Sequence, residues 1–241
     1  MIGTGVAVAA ILVVAVTVQS VSGFGLALLA VPLLSFVIDP RVAVVLLAVV
    51  GPVSTISIAF AEREHVIWRV VLRMAGPAFL GMPIGLWILT VLGAQALEVM
   101  IGVLVIVLTG LLVSRVRLWD RPGVDVAAGF ASGILATSTG TIGPPLVIAL
   151  HAKNLSPSRF RSTVAATFVV EGLATLAVFV IGGRIDAEVW RLALFAVPGV
   201  VVGRLAGTRV VRRIDPERFR ILVVALLFAT AIALLVDALL G

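Results

Sequence analysis

The chain has 241 residues, of which 61% are hydrophobic and 12% charged. Soluble domains carry about 25% charged residues, so this is an integral membrane protein, with no room for a separate soluble domain. A net charge of +6 does not indicate nucleic acid, because no basic face with interleaved aromatics occurs. Cysteine is absent, which removes disulfides, thiolate metal sites and any redox clue.

Residues 1–21 are apolar but lack a basic start and a clear cleavage site, so they are expected to stay as the first helix. Further apolar runs fall at about 24–38, 42–60, 69–92, 97–114, 124–138, 144–152, 160–182, 190–209 and 217–239. A helix needs roughly 20 residues to cross the hydrocarbon core. The runs 42–60, 69–92, 97–114, 160–182, 190–209 and 217–239 reach or nearly reach that length. The run 144–152 is far too short and 124–138 is also short, so the two are expected to form a broken or re-entrant pair. The pair 3–21 and 24–38 is its first-half equivalent.

Between the short runs lies Thr139-Gly140-Thr141-Ile142-Gly143-Pro144-Pro145. Two glycines release the backbone, and two prolines have no amide hydrogen for a preceding turn. A weaker relative, Ser22-Gly23-Phe24-Gly25 with Pro32 beyond it, interrupts the first half. In lipid an opened backbone survives only where protein covers it or where it lines a cavity. Paired interruptions, one per half, are the best sequence pointer to a transporter binding site.

The halves echo one another. Trp68-Arg69 returns as Trp190-Arg191, an offset of 122 that also carries Gly81 and Gly85 onto Gly203 and Gly207. Placing the loops near 62–73, 115–121, 151–161 and 204–220 in the cytoplasm leaves only Arg41, Arg184 and Arg191 of the 18 basic residues outside. That obeys the positive-inside rule and requires equivalent segments to run in opposite directions. The expected fold class is an all-α integral membrane protein: a polytopic helical bundle of two inverted-topology repeats, 1–115 and 122–241, with broken or re-entrant helices. Both termini are then expected outside.

Trp68, Trp119 and Trp190 sit near segment ends, where indoles anchor at the headgroups. Gly81-x-x-x-Gly85 and Gly203-x-x-x-Gly207 should allow close backbone approach, and Pro52, Pro77, Pro83 and Pro198 should kink their helices. Arg212, Arg213, Arg218 and Arg220 set topology, with anionic lipid as an added contact. His65 and His151 fall in expected loops, and no His, Asp or Glu grouping has metal-ligand spacing, so no metal or other cofactor is expected.

Together these residues resemble the sulfite exporter TauE/SafE family. Ser22-Gly23-Phe24-Gly25-Leu26-Ala27-Leu28-Leu29-Ala30-Val31-Pro32 is similar to its first glycine-rich signature, and Thr139-Gly140-Thr141-Ile142-Gly143-Pro144-Pro145-Leu146-Val147 to its second. Asp39-Pro40-Arg41, His65-Val66-Ile67-Trp68-Arg69 and Phe160-Arg161-Ser162-Thr163 fit the same pattern. The chain departs at Ile142, where many members have glycine, and at Phe24 and Leu26. The resemblance implies transport of small sulfur oxyanions and organosulfonates, such as sulfite or sulfoacetate, across a bacterial inner membrane.

An oxyanion needs hydrogen-bond donors and positive potential, which a helix beginning inside the membrane supplies. Candidate donors are the amides of Gly140, Thr141, Ile142 and Gly143, with Pro144 in the first turn, and the hydroxyls of Ser138, Thr139 and Thr141. Ser22, Gly23, Phe24 and Gly25 should face them from the first half. Gln19, ahead of the first interruption, donates to substrate or satisfies opened backbone. Arg204 attracts the anion or snorkels to the surface. Glu171 stands near the middle of the 160–182 run, with no Lys or Arg within four residues. An intramembrane carboxyl is a functional hypothesis by default, and the expectation is that it carries the coupling proton; the alternative is a structural tie between helices.

The function expected is therefore a secondary transporter exporting a small sulfur anion by proton-coupled alternating access in the inner membrane. The chain is not expected to be an enzyme, and its partners are the anion and the lipid bilayer, with no nucleic acid; a homodimer is compatible with the sequence. The rivals are a passive anion channel, a scaffold for another subunit and a membrane-embedded enzyme, the last of which needs paired carboxylates or a Ser–His dyad within the membrane.

Overall fold

The chain folds entirely into helices wherever its structure, a computed structural model, describes it: residues 2–22, 25–61, 63–114, 120–210 and 215–240. Gly23, Phe24, Trp119, Arg212 and Arg213 lie outside the described residues. The helices are α1 (Ile2–Ser22), α2 (Leu26–Ser35), α3 (Pro40–Ala61), α4 (Trp68–Val91), α5 (Ala94–Val113), α6 (Pro122–Ser138), α7 (Gly143–His151), α8 (Pro157–Ile181), α9 (Ala187–Val210) and α10 (Pro216–Leu240). A single 3-10 turn, Arg63–His65, precedes α4. Prolines open α3, α6, α8 and α10, where the missing amide hydrogen costs nothing.

Six of these helices are long and apolar enough to cross a membrane, so the protein is an all-α polytopic membrane protein. Among the described residues the other four, α2, α3, α6 and α7, fall short of that measure; α2 has only 10 residues and α7 only 9, and nine residues reach only about 14 Å. α2 and α7 follow interruptions at the two places where glycine and proline break the apolar sequence. Pro52, Pro77, Pro83 and Pro198, expected to kink their helices, lie inside α3, α4 and α9, which continue through them. His65 belongs to the 3-10 turn, and His151, expected in a loop, is the last residue of α7 with its ring 4.6 Å from that of Phe160.

Close approach of backbones holds the bundle together. Lipid tails are as apolar as leucine, so helices in a membrane associate through fit and interhelical hydrogen bonds. Along α4 and α6, Gly81 and Gly85 lie over the backbone of Phe130 and Ile134, and Gly129 and Gly133 over Met74 and Ala78. A Cβ at any of the four would strike main-chain atoms. Along α1 and α9, Gly199 and Gly203 lie over Ala9 and Val13 in the same manner. Each seam adds a threonine contact across helices: Thr137 Oγ1 donates to the Met82 carbonyl at 2.7 Å, and Thr17 Oγ1, which donates to the Val13 carbonyl of its own helix at 2.7 Å, also reaches that of Gly203 at 3.1 Å.

The contacts come in exchanged pairs. α4 packs on α6 as α9 packs on α1, and α4 meets α8 as α9 meets α3. α5 and α10 pack on each other, as do α3 and α8. Large apolar side chains such as Leu72, Leu80 and Trp87 on α4, and Ile221 and Leu222 on α10, point outward, as suits a lipid solvent. Trp68 and Trp190 are exposed within the first turns of α4 and α9, where indoles meet headgroups.

Candidate functional site

Both interruptions are built on a glycine that no other residue replaces without strain. α6 ends at Ser138, and the amides of Thr139 and Thr141 both donate to the Leu135 carbonyl, at 2.9 and 3.2 Å. Between them Gly140 adopts φ 69°, the left-handed region that costs other residues roughly 1–2 kcal/mol. Gly143, Pro144 and Pro145 then begin α7. In the first half Gly25, with φ 97°, immediately precedes α2 and accepts a bond from the Leu29 amide at 3.2 Å.

The two interruptions border one cavity of about 80 Å³, room for several waters or a small ion. Gly25 and Leu26 line it from the first, and Gly140, Ile142 and Gly143 from the second. Gln19 of α1 and Ala136 of α6 flank them. The remaining wall comes from the middle of α3 (Gly51, Pro52, Thr55) and the middle of α8 (Phe168, Gly172, Thr175). The cavity thus lies midway along two of the longest helices and not at their ends.

Its polar equipment is sparse. Among the described residues, the amides of Gly140, Ile142 and Gly143 donate to no acceptor of the chain. Gln19 is buried, lines the cavity and makes no side-chain hydrogen bond among those residues. The Thr55 hydroxyl is held only by long contacts of 3.4 Å to the Gly51 and Pro52 carbonyls. Free amides at a helix start, with the positive end of its dipole, form an anion-binding arrangement.

Other residues expected at the site are placed differently. The Ser138, Thr139 and Thr141 hydroxyls donate to the carbonyls of Ile134, Leu135 and Thr139, at 2.8, 3.0 and 3.3 Å. A hydroxyl has one proton, so in this arrangement those three have none left for a ligand. Pro144 is buried behind the lining, Arg204 is half-buried on α9 away from the cavity, and Ser22 closes α1.

Glu171 is fully buried on α8. Its Oε2 lies 2.5 Å from Ser132 Oγ of α6, and its Oε1 has no partner. Ser132 Oγ also lies 3.0 Å from the Ile142 carbonyl, at the second interruption. Sequence reasoning missed Ser132. Its signal was the face of α6 on which Asp125, Gly129, Ser132 and Ala136 recur at helical spacing, two of them polar residues in a membrane-buried helix.

A second buried polar group also escaped notice. Asp125, near the start of α6, accepts from Lys153 at 3.0 Å and from Arg73 of α4 at 3.3 Å, and Lys153 reaches Asp120 at 2.6 Å. Burial by itself would lower the Lys153 pKa, but hydrogen bonds and charge from Asp120 and Asp125 outweigh it and hold it above the ordinary value.

The family described as sulfite exporter TauE/SafE matches residues 7–234. The chain belongs to that family. A relative from Cupriavidus necator, described as a probable sulfite/organosulfonate exporter TauE, is 27% identical over 231 residues, covering 91% of this chain and 89% of its own. A relative from Comamonas testosteroni, described as a probable inner membrane transporter protein TsaS, is 30% identical over 103 residues, covering 42% of this chain and 43% of its own. No solved structure matches. In this TauE/SafE chain the two glycine-rich signatures are the two interruptions that border the cavity.

Proposed function

We propose that this chain is a secondary transporter that exports a small sulfur anion, sulfite or an organosulfonate, across the bacterial inner membrane. Anion and cavity meet at the unpaired amides of Gly140, Ile142 and Gly143, with Gln19 and Gly25 opposite. The observation that carries this is the shared cavity: two interrupted helices border one partly open volume midway along α3 and α8, with free donors on its lining. The family's description and the name of the Cupriavidus necator relative suggest the substrate class.

Alternating access follows from the exchanged packing. If 1–115 and 122–241 are repeats of opposite orientation, each half carries one interruption, and rocking one half against the other opens the cavity to either side in turn. The contact pairs α4·α6 with α9·α1, and α4·α8 with α9·α3, support such a relation. Loop charge favours both termini outside. Glu171 is the coupling group: a fully buried carboxyl with no cation beside it exchanges a proton as access changes. An embedded enzyme is disfavoured because, among the described residues, neither a second carboxylate nor a histidine bonds to Glu171.

The test is flux in proteoliposomes of the purified protein, comparing sulfite, sulfate and sulfoacetate with and without a pH gradient. Sulfite or sulfoacetate should move, and a gradient should change the rate. A preparation that moves none of these anions under any gradient defeats the proposal, and flux indifferent to the gradient reduces it to a passive channel.

A further inference from the structure

Ser132 is caught between two acceptors. Its oxygen lies 2.5 Å from Glu171 Oε2 and 3.0 Å from the Ile142 carbonyl, yet it owns one proton. With an ionised carboxylate, that proton serves either Glu171 or Ile142 and leaves two bare oxygens in contact. With a protonated carboxyl, both contacts become hydrogen bonds: Glu171 Oε2 donates to Ser132 Oγ, and Ser132 donates to the Ile142 carbonyl. Ile142 is the residue before α7, and it lines the cavity.

We infer that Ser132 is a positioning residue that reports the protonation of Glu171 to the substrate cavity by pinning or releasing the Ile142 carbonyl. This rests on the proposal that Glu171 exchanges the coupling proton. With Glu171 protonated, Ser132 holds the Gly140–Gly143 segment as observed, its free amides facing an anion. Loss of the proton turns the Ser132 hydroxyl to the carboxylate. The carbonyl then loses this partner, the segment is freed, and anion affinity falls. No bond other than hydrogen bonds changes, and the proton leaves as the carboxyl titrates.

No other group competes for Glu171. Of the elements packed on α8, α3 begins with Arg41, α4 with Arg69 and Arg73, α6 carries Asp125 near its start, and α7 ends in His151. The 3-10 turn adds Arg63, Glu64 and His65, and α8 itself begins with Arg159 and Arg161. These stand within the first two turns or the last turn of their elements or in the 3-10 turn, and none of them acts on Glu171. Ser132 is its one side-chain partner among the described residues.

The experiment is methanesulfonate binding by calorimetry in nanodiscs, between about pH 5 and 8, because this anion keeps a single charge throughout. Wild-type affinity should fall as pH rises, by at most roughly tenfold per unit for one linked proton. In Glu171→Gln the carboxamide donates to Ser132 at every pH, so affinity should stay high and flat. In Ser132→Ala it should be flat and low, about fivefold below the acidic wild-type value, the worth of one hydrogen bond. The double variant should match Ser132→Ala, and Ser132→Thr, which keeps the hydroxyl, should restore the slope. Infrared difference spectra of Ser132→Ala should still show the Glu171 carboxyl titrating. If Ser132→Ala keeps the wild-type slope, direct charge repulsion replaces the relay, although Glu171 coupling survives. If Glu171→Gln keeps the slope, the coupling role itself is wrong.

Discussion

Seven positions ahead of the short helix, the first interruption carries Gln19 and the second Ala136, and both residues face the cavity. α3 contributes no acidic residue, whereas α8 contributes Glu171 with Ser132 of α6 beside it. The two halves therefore share a frame, a glycine of positive φ before a short helix, and divide the polar work. In the proposed function the first supplies a carboxamide for the ligand, and the second supplies free amides and a titrating carboxyl. Division of this kind lets ligand and proton act on different helices around one volume.

The most disruptive way to probe that division is to attack the shared frame. Gly140→Leu forces a branched side chain into φ 69°, although the space around its Cβ holds only ordinary contacts with Val31 and Val44. Strain and not crowding is the fault, so the chain should insert normally while sulfite flux disappears. Membrane fractionation beside a flux assay checks both. Retained flux would assign the glycine to packing and dissolve the frame.

A smaller effect should separate the two kinds of polar residue. Gln19→Ala removes a donor to a charged ligand, worth about 1.5–3 kcal/mol, and should raise the half-saturation concentration at least tenfold by that measure. The pH profile should keep its shape, because the Glu171–Ser132–Ile142 chain is untouched. A Gln19→Ala protein with unchanged half-saturation but an altered pH profile would reverse the assignment of roles between the halves.

The frame was legible in the sequence because glycine and proline act locally: the glycines free the backbone for a positive φ, and Pro144-Pro145 suit the first turn of a helix while giving no amide to a turn before it. The spans were equally legible, since composition alone sets what lipid accepts. The polar assignments were not. Ser138 and Thr139 stood beside the interruption and looked like ligand donors, yet a hydroxyl on a helix readily turns back to the carbonyl four residues earlier. Ser132 precedes Ile142 by ten residues and Glu171 by 39, a relation created only when α6 packs on α8. Thr137 and Thr17 reach across helices for the same reason, and no local spacing announces it.

The subtlest difference between the halves lies away from the cavity. Eighteen positions ahead of its short helix the first half has Val8, fully buried, while the second has Asp125, equally buried and bonded to Arg73 and Lys153. At this position α6 is tied by charge to Arg73 of α4 and to Lys153, where α1 is held by an apolar contact, and only the charged tie should respond to pH. Lys153 has its pKa held above 10.5 by Asp120 and Asp125 in spite of burial. A folded-state pKa above the unfolded one gives stability that is complete below the unfolded value and drains away as pH climbs through the folded value. The thermal stability advantage of wild type over Lys153→Met should therefore hold level through neutral pH and narrow only above 10.5. Melting curves across alkaline pH measure it. An advantage already narrowing between about pH 6 and 9 would mean that a different group carries the tie, and the contrast between Val8 and Asp125 would lose its electrostatic basis.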